Sequence, residues 1–200
     1  MNRPDHDNPP QNRAQRRERR SPRPIDRAAL DAMALAYVAR FATSAHRLQA
    51  YLLRKLRERG WDGEGDPPCA EVVARIVALG YIDDAAFARA RGAGMLRRGL
   101  GARRIGEALQ RDRIDAEVID EAKGSEHERR AAALHLAQKR RLGPFGRLAD
   151  AADRRKEAER QVGTLVRAGH QLAFARALVE AADADAAQQW VDEADDSPGD

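Results

Sequence analysis

Leu30, Met33, Ala34, Tyr37, Val38 and Phe41 recur at three- and four-residue intervals, the spacing that gathers apolar side chains on one helix face. Leu48, Leu52, Leu53 and Leu56 repeat the pattern, and Val72, Val73, Ile76, Val77 and Leu79 repeat it again. Polar punctuation separates these stripes. Asp26 can cap the first helix and Thr43 or Ser44 the second, while Gly60 and Gly80 stand where helices end. Between the second and third stripes lies a loop holding Gly63, Gly65, Pro67 and Pro68. The next segment, from Gly80 to Leu109, carries helix signals throughout. Asp83 is a cap, with Ile82 and Phe87 spaced to form a hydrophobic staple around it. Arg97-Arg98-Gly99 reads as a basic helix end, and Ile105 and Leu109 mark the helix that follows. Gly92 and Gly94 lie inside the intervening helix at about 1 kcal/mol each relative to alanine. Either a neighbouring helix approaches closely there or that helix is locally weak. Phe87, Ile105 and Leu109 are expected in the core.

Further helices are expected over residues 115–123, 126–141, 153–167 and 172–182, and alternating strand patterns are nearly absent. The fold class is therefore all-α. Leu56-Arg57-Glu58-Arg59-Gly60-Trp61 resembles Leu109-Gln110-Arg111-Asp112-Arg113-Ile114, and Leu165-Val166-Arg167-Ala168-Gly169-His170 gives the pattern a third time. The three leucines lie 53 and 56 residues apart. This spacing predicts a tandem array of three-helix, helix-turn-helix-like repeats, elongated and curved. The expected units are residues 26–80, 81–123 and 124–182. An Arg/Pro-rich disordered tail is expected over 1–25 and an acidic tail over 183–200.

Charge is divided along the chain. The net value of +4 combines +4 over residues 1–27, +7 over 28–182 and −7 over 183–200. Arginine supplies 32 of the 36 basic residues, the side chain best shaped for phosphate and carboxylate forks. Cys69 is the one cysteine, which excludes an internal disulfide and fits a reducing compartment. The N-terminal residues have no apolar stretch of a secretory signal, and no window resembles a membrane span. A cytoplasmic location and a monomeric state are expected.

Candidate chemistry is sparse. None of His6, His46, His127, His135 and His170 falls in an H-E-x-x-H pattern, and Cys69 has no cysteine partner, so no metal site is expected. Gly99 and Gly101 follow a helix rather than a strand, which favours helix termination over phosphate cradling. Asp83-Asp84 is better explained by capping than by acid–base work. No hydroxyl lies in a nucleophile motif. No enzyme, cofactor or catalytic residue is expected. What remains is arginine. Eight lie between Arg89 and Arg113, against Glu107 and Asp112. Arg97, Arg98, Arg103 and Arg104 are the expected contact residues, for nucleic acid or an acidic protein face.

The middle stretch, Gly80-Tyr81-Ile82-Asp83-Asp84 with Phe87-Ala88, then Arg98-Gly99-Leu100-Gly101, Arg104-Ile105 and Leu109, resembles the RecX family of regulatory proteins. Ala36-Tyr37 through Leu56, Arg59-Gly60 and Trp61 support the resemblance, which covers roughly residues 30–182. Two departures stand out. Arg113 occupies a position where the family usually has glycine, and Gly92-Ala93-Gly94 replaces a more apolar segment. The resemblance implies tandem three-helix repeats in a curved protein that binds the RecA recombinase filament on single-stranded DNA. It implies inhibition of RecA ATP hydrolysis, strand exchange and co-protease function, and a place in homologous recombination, DNA repair and the SOS response. Single- or double-stranded DNA is a further partner through the basic surface. The alternative is a helix-turn-helix-type DNA-binding protein acting without a recombinase.

Overall fold

In the computed structural model, residues 23–146 and 153–194 are described, and among them lie ten α-helices and no strand. The first unit consists of α1 (Arg27–Arg40), α2 (Ala45–Arg59) and α3 (Cys69–Ala78). Its caps are those the sequence predicts. Asp26 accepts from the Ala29 amide at 2.7 Å, and Ser44 accepts from the Arg47 amide at 3.3 Å. Leu30, Leu48, Leu52, Val72 and Ile76 fill the core between the three helices. Ile25, assigned to the N-terminal tail by composition, is fully buried in that same core. Its amide donates to Gly60 O and its carbonyl accepts from Asp62 N, tying the chain entry to the end of α2. The rest of the expected basic tail lies outside the described residues.

The second unit holds α4 (Asp84–Leu96), α5 (Ala102–Arg111) and α6 (Ala116–Ala122) around Ala88, Leu96, Ile105, Leu109 and Ile119. Ile105 and Leu109 are fully buried, as their spacing predicts. Phe87 is only half-buried, because it sits at the unit's edge under two guanidinium groups. The staple expected between Ile82 and Phe87 is divided: Ile82 packs into the first core and Phe87 against the second. Gly92 has a definite cause. A Cβ there would stand 2.0 Å from the Ala122 carbonyl oxygen, so the close approach of α6 requires glycine.

The third unit begins with α7 (Glu126–Arg140), opened by a capping box in which Ser125 and Glu128 satisfy each other's amides. A 3-10 turn (Gly143–Phe145), α8 (Arg154–Arg167) and α9 (Leu172–Val179) follow. The segment expected as an acidic tail instead carries a tenth helix, α10 (Ala184–Asp192), capped by Asp183. Ala187 and Val191 are buried in the third core, and Trp190 meets Phe174 edge-on at 5.3 Å. Arg130 secures it, with its guanidinium 4.8 Å from the Trp190 ring and a 2.6 Å bond to the Trp190 carbonyl. Ala187, Trp190 and Val191, in helical register, outweigh the acidic composition.

The repeat is written in the backbone. The fourth residue after each repeated leucine has positive φ: Gly60 at 84°, Arg113 at 53° and Gly169 at 100°. The amide that follows closes back onto the leucine carbonyl in the second and third units, Ile114 to Leu109 and His170 to Leu165, both 3.2 Å. The left-handed position explains why glycine is the expected residue at 113, and arginine holds it at a cost of about 1 kcal/mol.

Candidate functional site

Two seams join the three units, the first built by charged side chains and the second by backbone contacts that arginines reinforce. At the first seam Asp112 is buried between units and accepts from Arg47 Nε at 2.7 Å. Its other oxygen lies 3.2 Å from Arg91 Nε without hydrogen-bond alignment, so that contact is coulombic. Burial first, then repulsion from Arg47, holds the Arg91 guanidinium below its ordinary value, against the attraction of Asp112. Arg47 and Arg91 also lie 5.3 Å and 5.9 Å from the centre of the Phe87 ring. The adjacent carboxylates divide their work. Asp83 caps its own helix through the Ala86 amide at 2.8 Å, while Asp84 reaches across the seam to the Ala45 amide at 2.9 Å. Both aspartates are therefore engaged as helix caps.

The second seam is a backbone contact. Gly101 N donates to Ala168 O at 3.0 Å, and Arg103 N donates to Gly169 O at 3.2 Å. Two of the four expected contact arginines are engaged here. Arg103 donates to Val166 O and Arg104 to Arg167 O, both at 3.0 Å, adding side-chain donors to carbonyls in the last turn of α8. Both also pair with Glu107. Desolvation opposes ionisation there, but hydrogen bonds and charge from Arg104 and Arg103 outweigh it and keep the Glu107 carboxyl below its ordinary range.

His170 completes this seam, buried with Nε2 3.0 Å from Gly99 O. Burial lowers its pKa, and the Gly99 carbonyl only partly offsets that. The folded ring therefore binds a proton more weakly than the unfolded one. Stability contributed this way is present above roughly pH 6.5 and is lost as pH falls below it. Replacing His170 with Asn, which keeps a donor for the Gly99 carbonyl, is expected to flatten that slope in urea titrations at roughly pH 7 and 5. Equal slopes for both proteins would place the titrating group elsewhere.

Arg97 and Arg98 differ from the seam arginines. Both are exposed past the end of α4, and their guanidinium groups make no hydrogen bond or ion pair among the described residues. Arg98 lines two clefts. One, of about 540 Å³, follows the first seam and includes Arg47, Tyr81, Phe87 and Arg91. The other, of about 520 Å³, follows the second seam and includes Lys139, Arg140, Thr164 and Arg167 with no carboxylate. A third cleft of about 410 Å³ lies on the first unit, between α1 and α2, lined by Tyr37, Arg40, Phe41, Tyr51 and Arg54. Sequence reading selected Arg98 but missed Lys139, Arg140 and Arg167, which are far from it in the chain. Their common signal is position: each lies in the last turn of a helix, where cations offset the dipole.

Arg97 borders a separate cleft of about 400 Å³ beside His127 and His135, so the two histidines do share a surface. Among the described residues no group of three His, Cys, Asp or Glu side chains could hold a metal ion. Cys69 is buried and its thiol is pushed up by desolvation, away from a reactive thiolate. No described helix is long and apolar enough to cross a membrane. The site offers clustered cations and exposed rings, which suit polyanions and acidic surfaces.

The model of the RecX second three-helix domain matches residues 83–122, nearly the whole second unit. A regulatory protein RecX from Myxococcus xanthus (strain DK1622) is 29% identical over 167 residues, covering 80% of this chain and 88% of the relative. A second, from Mycobacterium sp. (strain KMS), is 39% identical over 88 residues, covering 42% of this chain and 45% of the relative. The crystal structure of RecX from Lactobacillus salivarius superposes with a TM-score of 0.57 at 17% identity, over 83% of this chain and 96% of that one. At that identity the likeness is one of fold. The middle unit thus matches the RecX family's second three-helix domain, and the chain as a whole is similar to regulatory proteins named RecX and shares their all-helical fold.

Proposed function

We propose that this protein binds RecA recombinase filaments on single-stranded DNA and restrains their ATP hydrolysis, strand exchange and co-protease activity, without chemistry of its own. The likeness to RecX proteins suggests the partner. The observation that carries the reading is the pair of basic clefts that meet at Arg98, one at each seam between units. A filament presents the same acidic and phosphate surfaces at regular intervals, and a row of units with cations at each seam is suited to engage several of them. Such a regulator would act as a monomer in the cytoplasm.

Arg97, Arg98, Arg103 and Arg104 all remain contact residues in this reading, but they are no longer equivalent. The first two project without partners, whereas the second two are spent largely on the seam. The test is the single-stranded-DNA-dependent ATPase of the cognate recombinase, titrated with this protein. ATP hydrolysis is expected to fall with increasing coverage. Arg97→Glu with Arg98→Glu is expected to raise the half-inhibitory concentration about tenfold, a loss of roughly 1.4 kcal/mol, with helicity unchanged. Unaltered hydrolysis at stoichiometric coverage by the folded protein would overturn the proposal.

A further inference from the structure

Aromatic residues make up 4% of this chain, yet three of the nine gather on one side of the first unit. Tyr37 and Tyr51 stack with ring centres 4.3 Å apart and planes 22° from parallel. Phe41 tilts against Tyr37 at 5.3 Å. A guanidinium stands at each end of this row, Arg40 at 5.6 Å from the Phe41 centre and Arg54 at 5.7 Å from the Tyr51 centre. The tyrosines are half-buried and lean on the first core, which accounts for their presence as packing. Phe41 has no such role. It lies beyond the end of α1 with extended backbone, and 51% of it is exposed. An exposed ring held in place by a second ring and a cation presents an apolar face to solvent with no partner in the fold.

Face and charge together specify the ligand. No carboxylate lines this cleft, and among the described residues the one ion-pair contact to either guanidinium is Glu58, 3.8 Å from Arg54 and itself half exposed. An acidic phosphodiester backbone matches the two arginines, and a flat heterocycle matches the rings. A duplex keeps its bases stacked on one another, so the match is to unpaired bases. The cleft also adjoins, along the chain, the cleft at the first seam. Ala42 and Thr43, next to Phe41 in the chain, line the cleft at the first seam, and so does Arg47, one helical turn before Tyr51.

We propose that Tyr37, Phe41 and Tyr51, flanked by Arg40 and Arg54, form a base-stacking platform for single-stranded nucleic acid. The platform needs no recombinase, so this proposal and the filament reading can fail separately. The test uses the full chain and fluorescein-labelled oligothymidylate of about 20 nucleotides, longer than a single stacking site requires. An abasic strand of equal length and a hairpin duplex are compared by anisotropy at fixed salt. Phe41→Ala changes an exposed side chain and leaves the buried core intact. It is expected to weaken oligothymidylate binding about tenfold and abasic binding hardly at all, since stacking is lost and phosphate contacts remain. Phe41→Trp is expected to restore affinity, with indole fluorescence quenched on binding. Equal losses on base-bearing and abasic strands, or no loss at all, would overturn the proposal. So would tighter binding to the duplex than to the single strand. Displacement of the oligonucleotide by an acidic peptide that itself loses affinity in Phe41→Ala would reassign the patch to protein docking and likewise overturn it.

Discussion

Replacing Gly101 with alanine is expected to unseat the third unit from the second. The added Cβ would lie 2.2 Å from Gly169 C and 2.3 Å from both Gly169 O and His170 N. These are backbone atoms, and no side chain can rotate away to admit the methyl group. Gly169 cannot yield easily either, because its φ of 100° is already fixed by the end of α8, and Arg104 packs against it. Separating the two strips would break the Gly101–Ala168 and Arg103–Gly169 bonds together, and with them the His170 contact to Gly99. Overpacking a core costs about 1–3 kcal/mol, and rigid neighbours put this case at or above the upper end. Hydrogen exchange should speed up at the Gly101 and Arg103 amides, and calorimetry should show the single transition broadening into two. Unchanged exchange at both amides would mean that the seam relaxes around the methyl group.

Asp112→Asn is expected to cost about 3 kcal/mol by urea unfolding. The substitution keeps shape and removes charge, leaving Arg47 and Arg91 facing each other across Phe87 with nothing to offset them. Breaking a buried ion pair from one side usually costs about 3–5 kcal/mol. Both guanidiniums here are about one-third exposed, at 37% and 32%, so water absorbs part of the loss and the low end applies. Adding Arg91→Met should recover part of it, because the second change removes the stranded charge. A loss under about 0.5 kcal/mol would mark the cluster as an ordinary surface pair.

Helix positions were legible because their ends are marked chemically. Asp26, Ser44, Asp83 and Ser125 each cap a helix, and Gly60, Gly80 and Gly99 end one in the left-handed conformation. The tenth helix carried the same signs, with Asp183 as cap and Ala187, Trp190 and Val191 in register, but seven acids in the last eighteen residues argued for a tail. Tertiary burial of two side chains decided the matter.

The site was legible only as a composition of arginines. Arg97-Arg98 and Arg103-Arg104 are alike in local sequence, and nothing near them tells which pair bonds across the seam. The deciding atoms are the carbonyls of Val166 and Arg167, 63 residues further on, which no local pattern contains. Phe41 was hidden for the opposite reason. Its four-residue spacing from Tyr37 matches a core stripe, yet α1 ends one residue earlier and the ring falls outside the packed interior. The repeat registered correctly because a positive φ recurs four residues after each of the three leucines.

The two seams give this chain the thermodynamics of a short one-dimensional lattice. Each unit has its own core, but only the middle one borders a neighbour on both sides, through Asp112 on one side and Gly101 on the other. In such a lattice the coupling energies add to whichever site has more neighbours. The middle unit therefore borrows stability from both ends. Its seven-residue α6 and its arginine held at positive φ are weaknesses that this position in the row can carry.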